Sequence, residues 1–445
     1  MMYFKSLINN LKIYNLNLYL PLIIIFSSLK INGYVIAFIF LFIYLLYKRK
    51  EIINPISLKT NDEKLVLAYF TFLIFESIYG AFQINDFRII IYWVPLFTIT
   101  LFLFFRNKYD LENNQFYKKN FYKIIFYSSV IYFIFYLIMN IFSFIFYKNP
   151  YQIQDYFWMG SSGAFNISSL FFISTYKLWE KENFSLKSRY FLTVPFYLVI
   201  QSTNQSRLGF LYIFCFIFFI LIKQIQKRKF INSIVFILVT FSIFNFSNNI
   251  IGYLIHVVPS YEGSFIKKNI VSETAELSAY DGRTYELGMA IKHFKKSSIN
   301  NKIFGTGWYS SRLTIVPTRN KIIDEINSVP YNERVRRFKS GESKHWIIVF
   351  HKKDVVSMQG ISAIILDTGY LGLIFLGLII YRTLYLIIKY ETNFIFKLFL
   401  CAILSIHLLC LYIGYPLNSI PYLLFILPGG LIRLSKKDNN ISYIS

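Results

Sequence analysis

The chain consists of apolar segments long enough to cross a bilayer, interrupted once, late in the sequence, by about a hundred mostly polar residues at 248–355. Of its 445 residues, 55% are hydrophobic, whereas soluble domains are roughly 45 to 50% apolar. A hydrocarbon core of about 30 Å needs roughly 20 helical residues per crossing. We therefore predict an all-α polytopic membrane protein with one large hydrophilic loop.

Twelve segments are apolar enough to count as spans, and two of them are so short that eleven or thirteen spans also fit. They lie at residues 16–29, 31–47, 65–82, 89–105, 121–147, 163–179, 190–200, 208–222, 230–246, 361–381, 398–413 and 420–434. The predicted domains follow from this layout. Residues 1–247 hold nine spans, residues 248–356 form the large loop, and residues 357–445 hold three spans and a cytoplasmic tail.

The net charge of +24 arises from 47 Lys and Arg against 23 Asp and Glu, a balance that is also typical of nucleic-acid-binding proteins. The placement of the basic residues argues against that class. With both termini in the cytoplasm, 26 of the 47 fall on cytoplasmic segments and 17 in the large loop. The short external connections hold only Lys30, Arg88, Lys148 and Arg207. This positive-inside pattern predicts an extracytoplasmic large loop and no nucleic-acid partner.

The sequence gives little support to several other kinds of site. Cys215, Cys401 and Cys410 fall in predicted spans, so no disulfide framework is expected. No His-Glu-x-x-His motif, cysteine pair or carboxylate cluster is present, so we predict neither a metal site nor a cofactor. Two features disfavour a transporter: no inverted repeat is visible, and the span interiors carry almost no charge apart from Glu76.

The large loop has a predicted helix and a predicted turn. Residues 284–294 place apolar side chains at the spacing of an amphipathic helix, at Leu287, Ala290, Ile291 and Phe294. The sequence FGTGW at residues 304–308 is typical of a turn. We expect the loop to be a small, partly helical cap over the membrane domain.

Three arginines are candidates for binding an anionic substrate. Arg207 stands at the outer end of the eighth predicted span, where ionisable residues are usually functional. Arg283 falls in the first turn of the predicted loop helix, where backbone N–H groups also favour an anion. Arg312 is one of the further arginines of the loop. The plainer alternatives are an arginine that snorkels at a helix end and solvated loop arginines.

Two side chains are candidates for a general base. His351 comes shortly before the chain returns to the membrane, where it would face a substrate at the bilayer surface. Glu286 is a carboxylate of the predicted loop helix. His407, inside the eleventh predicted span, is interpreted as a packing histidine. We expect Trp308 and Trp346 to anchor the loop at the membrane interface rather than to stack on sugar rings.

The order of these features resembles the O-antigen polymerase and O-antigen ligase family. The shared features are Ser206-Arg207 opening a span, Gly282-Arg283 before an amphipathic helix, FGTG at residues 304–307, and DTGYLGL at residues 367–373, which is similar to the family's acidic-x-Gly-x-x-Gly-Leu signature. The resemblance covers residues 201–377 in detail and the rest by topology. It implies a GT-C-like fold in the bacterial cytoplasmic membrane.

The resemblance also implies a chemistry. Proteins of this family transfer glycans that are attached through a diphosphate to undecaprenol, and Arg207 and Arg283 match the positions that hold the diphosphate. A guanidinium pairs bidentately with phosphate oxygens and keeps its proton, so two of them can stabilise the leaving diphosphate without a metal. The implied partners are the lipid-linked oligosaccharide, the bilayer, a chain-length regulator and a flippase.

One position departs from the ligases of the family. Ligases carry a His-Asn pair about eleven residues before the first Gly of the last motif, where this sequence has Met358-Gln359. We therefore expect a surface-polysaccharide polymerase, with His351 or Glu286 as the base. Two alternatives stay open: a ligase that passes finished glycan to a lipid or protein acceptor, and, from another class, a lipid-oligosaccharide flippase or other transporter.

Overall fold

A computed structural model of the chain describes residues 61–84, 115–147, 160–202, 208–226, 294–308 and 360–413, with scattered residues at 87–105, 234, 238 and 287–291. All regular structure in this part of the chain is helical, and no strand occurs in it. The all-α prediction is therefore confirmed for the described residues.

The described helices pack in a continuous series. They are α1 (Asn61–Ile84), α2 (Gln115–Tyr147), α3 (Gly160–Lys181), α4 (Thr193–Ser202), α5 (Leu208–Gln226), α6 (Ile299–Phe304), α7 (Gly360–Tyr390) and α8 (Phe394–Ile413), with a 3₁₀ turn at Arg189–Leu192. Contacts run from α2 to α3, α5, α8, α7 and α1 in that order, and α6 lies on α7. The loop helix α6 is thus attached to the membrane-domain helices.

Three stretches of these helices are long and apolar enough to cross a membrane: Asn61–Gln83, Lys119–Ile138 and Gly360–Tyr390. Leu211–Gln226 and Phe394–Leu409 are apolar but shorter. The chain is thus a helical membrane protein. The number of twelve spans stays a prediction, because the predicted spans 16–29, 31–47 and 420–434 lie outside the described residues.

The seventh predicted span, at residues 190–200, begins as a 3₁₀ turn. That turn starts where the Tyr190 N–H donates to Ser188 Oγ at 3.1 Å. The α-helix that follows, α4, has ten residues, which extend about 15 Å. This is half of a hydrocarbon core of about 30 Å, so α4 does not cross the membrane unaided within the described residues.

Aromatic rings fill the space between α2, α3 and α4. Phe171 stacks on Phe126 with ring centroids 5.7 Å apart and meets Phe133 edge to face at 5.3 Å. The Tyr197 hydroxyl and Ser168 Oγ share a hydrogen bond of 2.7 Å in the same layer. Because lipid tails are as apolar as these rings, close packing and interhelical hydrogen bonds hold the helices together here.

Ion pairs join the helices at one end of the bundle. Arg382 Nε of α7 lies 2.6 Å from Asp62 Oδ1 of α1, so these two helices run antiparallel. Lys177 Nζ of α3 lies 3.9 Å from Glu391 Oε2, between α7 and α8. All four residues fall on segments that the charge pattern assigns to the cytoplasm. The helix pairing therefore agrees with the predicted alternation of spans.

The aromatic layer predicts that two phenylalanines of the bundle differ in how much stability the protein loses when each is replaced by alanine. Phe171→Ala should lower the free energy of unfolding by about 3 kcal/mol, because the lost ring leaves a cavity that neighbouring helices cannot fill. Thermal unfolding in detergent measures this. Phe135→Ala on α2 is the matched control, since that ring is 52% exposed. Equal shifts in melting temperature would contradict the packing.

Candidate functional site

The predicted turn at residues 304–308 is confirmed from Gly305 onward, directly after the short helix α6, whose last residue is Phe304. This helix begins after Ser298, whose Oγ accepts a hydrogen bond from the Asn301 N–H at 3.3 Å. It ends at Gly305, whose N–H donates to the Asn301 carbonyl at 2.9 Å. The backbone angles of Gly305, φ +86° and ψ −168°, are essentially restricted to glycine. Residues 305–308, here called the docked turn, leave α6 from that position.

The docked turn supplies hydrogen-bond donors to the interior of α7. That helix is interrupted at Gly369, with φ +59° and ψ −156°, so carbonyls just before the interruption need partners outside the helix. The Thr306 N–H donates to the Leu366 carbonyl at 2.9 Å. The Gly307 N–H donates to the Asp367 carbonyl at 3.1 Å. A loop backbone sixty residues away in sequence thus completes the first segment of α7.

The docked turn also contacts α1. The Trp308 N–H donates to the Glu76 carbonyl at 2.8 Å. One helical turn further along α1, a Cβ on Gly80 would lie 2.5 Å from the Trp308 carbonyl oxygen, and a Cβ on Gly307 would overlap the backbone of Gly80. The loop backbone can therefore lie directly against the helix backbone only because both residues are glycines.

A second pair of glycines meets at the interruption of α7. A Cβ on Gly369 would lie 2.6 Å from the Gly305 nitrogen and 2.7 Å from the Lys302 carbonyl oxygen. A Cβ on Gly305 would overlap the Asp367 carbonyl group. Gly305 belongs to the FGTG sequence and Gly369 to DTGYLGL, so two of the four motifs that carry the family resemblance are in contact.

The expectation that Trp308 anchors the loop at the membrane interface is wrong. Its ring lies 5.5 Å from that of Trp93 and 5.2 Å from that of Phe97, in edge-to-face contacts, and the residue is only 3% exposed. Its backbone N–H also donates to the Glu76 carbonyl of α1, so the residue is held inside the protein rather than at a surface. Trp346, the other predicted anchor, lies outside the described residues.

Two acidic side chains are buried beside the docked turn. Glu76 of α1 is fully buried and Asp367 of α7 is 2% exposed. Among the described residues, neither Glu76 carboxyl oxygen has a hydrogen-bond partner, and the same holds for Trp308 Nε1. The sequence singled out Glu76 as an ionisable residue inside a span but treated Asp367 only as part of a motif. The position of Asp367 within the predicted span 361–381 was the available signal.

The candidate residues chosen from the sequence all lie outside the described residues. They are Arg207, Arg283, Arg312, Glu286 and His351. Their roles in binding diphosphate or accepting a proton therefore stay predictions.

The loop helix predicted at residues 284–294 agrees with the structure at every described position. Leu287, Ala290, Ile291 and Phe294 are helical. Ala290 and Phe294 are buried, and the Phe294 ring meets that of Tyr370, just after the interruption of α7, at 4.9 Å. Ile291 departs from the predicted apolar face because it is 39% exposed.

The interpretation of His407 as a packing histidine is confirmed. The residue is buried in α8, and its Nδ1 lies 2.5 Å from the Tyr212 hydroxyl of α5. This contact links two helices through a satisfied polar pair, the usual role of such groups between membrane helices.

The glycine contacts predict that Gly369→Ala loosens the docked turn by about 2 kcal/mol or more, because alanine is strained at these backbone angles and its Cβ would press on the α6 backbone. Hydrogen exchange of the peptide that covers residues 304–308 measures the loss of protection.

Gly377→Ala is the matched control in the same helix, since no atom lies within 4 Å of its added Cβ. This variant should leave the exchange of residues 304–308 as in the parent protein. Similar loss of protection in both variants would contradict the assignment of Gly369 to the docking contact.

Comparison with known proteins yields no relative: no family model, curated protein or solved structure matches this chain. The resemblance to the O-antigen polymerase and ligase family therefore depends on the sequence motifs. The structure adds the contact between two of those motifs, within a helical membrane protein.

Proposed function

We propose that the protein is a surface-polysaccharide polymerase that joins undecaprenyl-diphosphate-linked glycan units at the outer face of the bacterial cytoplasmic membrane. The acceptor hydroxyl attacks the anomeric carbon of the donor sugar. A new C–O bond forms while the bond to the diphosphate breaks, the acceptor proton passes to a base, and the lipid diphosphate leaves with the electron pair. The proposal includes a GT-C-like arrangement of about twelve spans, and it assigns no cofactor.

One observation carries this proposal: two short motifs, chosen from the sequence for their likeness to one family, touch each other. FGTG at residues 304–307 and DTGYLGL at residues 367–373 meet through paired glycines and two backbone hydrogen bonds. Motifs that matched by chance would have no physical reason to lie together. Their contact supports the idea that the whole pattern, including its arginines, belongs to one functional unit.

The arginines are proposed to bind the diphosphate. Arg207 directly precedes α5, and Arg312 follows Trp308 of the docked turn by four residues. Arg283 is expected to complete the site. One guanidinium and one phosphate about 4 Å apart contribute on the order of 4 kcal/mol at an effective dielectric constant of about 20, before desolvation is subtracted. An interaction energy of that size would stabilise the departing diphosphate.

The base in this proposal is His351 or Glu286. His351 comes nine residues before the first residue of α7, and Glu286 directly precedes Leu287, which is helical. Either side chain would accept the proton of the acceptor hydroxyl.

The sequence before α7 supports a polymerase over a ligase. Ligases of the family would have a His-Asn pair where this chain has Met358-Gln359. Transfer of finished glycan to a lipid or protein acceptor is therefore the second form of the same chemistry.

A transporter of lipid-linked oligosaccharides is the candidate from another class, and one observation favours it. Glu76 and Asp367 are buried in two membrane-domain helices, and ionisable residues inside spans often mark transport pathways. Vesicles that contain the purified protein and a lipid-linked oligosaccharide separate the two functions. Lengthening of the glycan supports the polymerase, and translocation without lengthening supports the transporter.

The proposed diphosphate site predicts that Arg207→Ala and Arg283→Ala each abolish polysaccharide ladders, because the leaving diphosphate loses its bidentate partner. Arg207→Lys and Arg283→Lys should restore little activity, since an ammonium group does not reproduce the guanidinium fork. Gel analysis of surface glycan measures ladder length, with protein abundance followed in the same cells.

Arg189→Ala is the control for loss of an arginine elsewhere. Arg189 lies in the 3₁₀ turn before α4, where its Nη2 donates to the Tyr190 hydroxyl at 3.1 Å, on a connection that the charge pattern assigns to the cytoplasm. This variant should keep full-length ladders. Normal ladders in the Arg207→Ala strain would remove that residue from the proposed mechanism.

A further inference from the structure

We propose that the end of α7 and α8 that the charge pattern assigns to the cytoplasm binds the headgroup of an anionic phospholipid. The binding surface, here called the basic patch, consists of Tyr385 and Lys389 of α7 and Lys397 of α8. It lies about 30 Å along α7 from the interruption at Gly369. The proposal is therefore independent of the docked turn and of the proposed glycosyl transfer.

The two amines of the basic patch keep hydrogen-bond donors for a phosphate group. Lys389 Nζ donates to the Tyr385 hydroxyl at 2.8 Å. Lys397 Nζ donates to the Ile388 carbonyl at 2.8 Å, so it reaches from α8 to the last turn of α7. Both hydrogen bonds are exposed. Because an ammonium group carries three N–H donors, each lysine has donors left for the oxygens of a ligand.

The acids at this end of the bundle are engaged by other cations. Glu391 follows Lys389 by two residues, but it is only 3% exposed and its Oε2 lies 3.9 Å from Lys177 Nζ of α3. Asp62 of α1 pairs with Arg382. Among the described residues, neither lysine of the basic patch forms an ion pair. The patch therefore carries a net positive charge that is complementary to an anionic headgroup.

The tyrosines of α7 fix the depth of the basic patch in the bilayer. The Tyr385 ring centre lies 5.2 Å from Lys389 Nζ and 4.9 Å from Arg382 Cζ. The Tyr381 ring stacks on that of Tyr385 at 6.4 Å. Tyrosine and lysine side chains combine an apolar body with a polar tip, and they are typical of the level of the lipid headgroups. This arrangement thus places the amine of Lys389 where lipid phosphates lie.

An apolar face continues from the basic patch toward the centre of the bilayer. Tyr381, Leu378 and Ile374 of α7 are exposed, as is Leu398 of α8. Lys389 and Leu378 are separated by about 16 Å along the helix, close to the roughly 15 Å of one hydrocarbon leaflet. A lipid whose headgroup binds the patch can therefore lay its acyl chains along this face, which a free phosphate ion would not use.

The simpler role for lysines at a helix C-terminus is to compensate the helix dipole. Lys397 does so through its bond to the Ile388 carbonyl. Lys389 does not, because its amine bonds the tyrosine one turn earlier rather than the last carbonyls of α7. Basic side chains from two neighbouring helices at the cytoplasmic surface are instead typical of sites for anionic lipid headgroups.

Native mass spectrometry of the full-length protein in detergent tests the site by titration with phosphatidylglycerol or with phosphatidylcholine. The parent should bind phosphatidylglycerol about tenfold more tightly or better, since two basic residues favour the anionic lipid. Lys389→Ala and Lys397→Ala should each weaken that binding about fivefold and leave phosphatidylcholine binding unchanged. Equal affinity of the parent for both lipids would overturn the proposal.

Lys123→Ala is the matched control. Lys123 is an exposed lysine of α2 that the charge pattern assigns to the same side of the membrane, and three helices separate α2 from α7 in the series of contacts. This variant should bind phosphatidylglycerol as the parent does. A loss as large as that of Lys389→Ala would indicate general attraction to the surface and would overturn the site.

Inorganic phosphate separates a lipid site from a site for free anions. Added at millimolar concentration, it should not displace phosphatidylglycerol from the parent, because it has no acyl chains to lie along the apolar face. Displacement would overturn the assignment of a lipid as the ligand.

Thermal unfolding gives a second readout, because a lipid that binds only the folded protein stabilises it. Phosphatidylglycerol should raise the melting temperature of the parent in detergent. It should not do so in the double variant Lys389→Ala with Lys397→Ala, which loses no core side chain. Equal stabilisation of the parent and the double variant would show that the lipid binds elsewhere and would overturn the proposal.

Discussion

The hydrogen bonds between the docked turn and the interrupted helix α7 are the contact on which the described part of the loop depends. Helix α7 can carry a break at Gly369 inside a membrane domain only because backbone donors from the loop satisfy the carbonyls of Leu366 and Asp367. An unsatisfied carbonyl at that depth would be strongly destabilising. The loop is therefore not a separate appendage, since its docked turn completes a membrane helix.

The same contact brings together the features of functional interest. It places two of the four family-like motifs side by side, buries Trp308 against Trp93 and Phe97, and lies beside the buried residues Glu76 and Asp367. The opposite end of the bundle is held differently, by the Asp62–Arg382 and Lys177–Glu391 ion pairs. One end of α1 and α7 is thus joined by charged side chains, while the other is joined by loop backbone around a pair of acids.

Sequence reasoning succeeded where a local pattern decides the structure and failed where a distant contact does. Apolar length predicted the described helices of the membrane domain, and spacing predicted the loop helix that contains Ala290 and Phe294, but neither pattern predicted the short polar helix α6. Trp308 was assigned to the membrane interface because interfacial tryptophans are common, but its backbone bond to Glu76 lies far away in sequence. Asp367 was treated only as part of a motif, because nothing in the local sequence indicates that its carbonyl binds the docked turn.

By itself, the sequence determined that the chain is a helical membrane protein and which segments are apolar enough to cross, since length, hydropathy and charge act residue by residue. It also supplied the arginines and the motif order from which a function is proposed. Only the tertiary structure decided that residues 305–308 lie between α1 and α7. That docking requires two glycine pairs, Gly80 with Gly307 and Gly305 with Gly369, to meet backbone to backbone. Neither sequence segment of a pair indicates by itself which other segment it will contact.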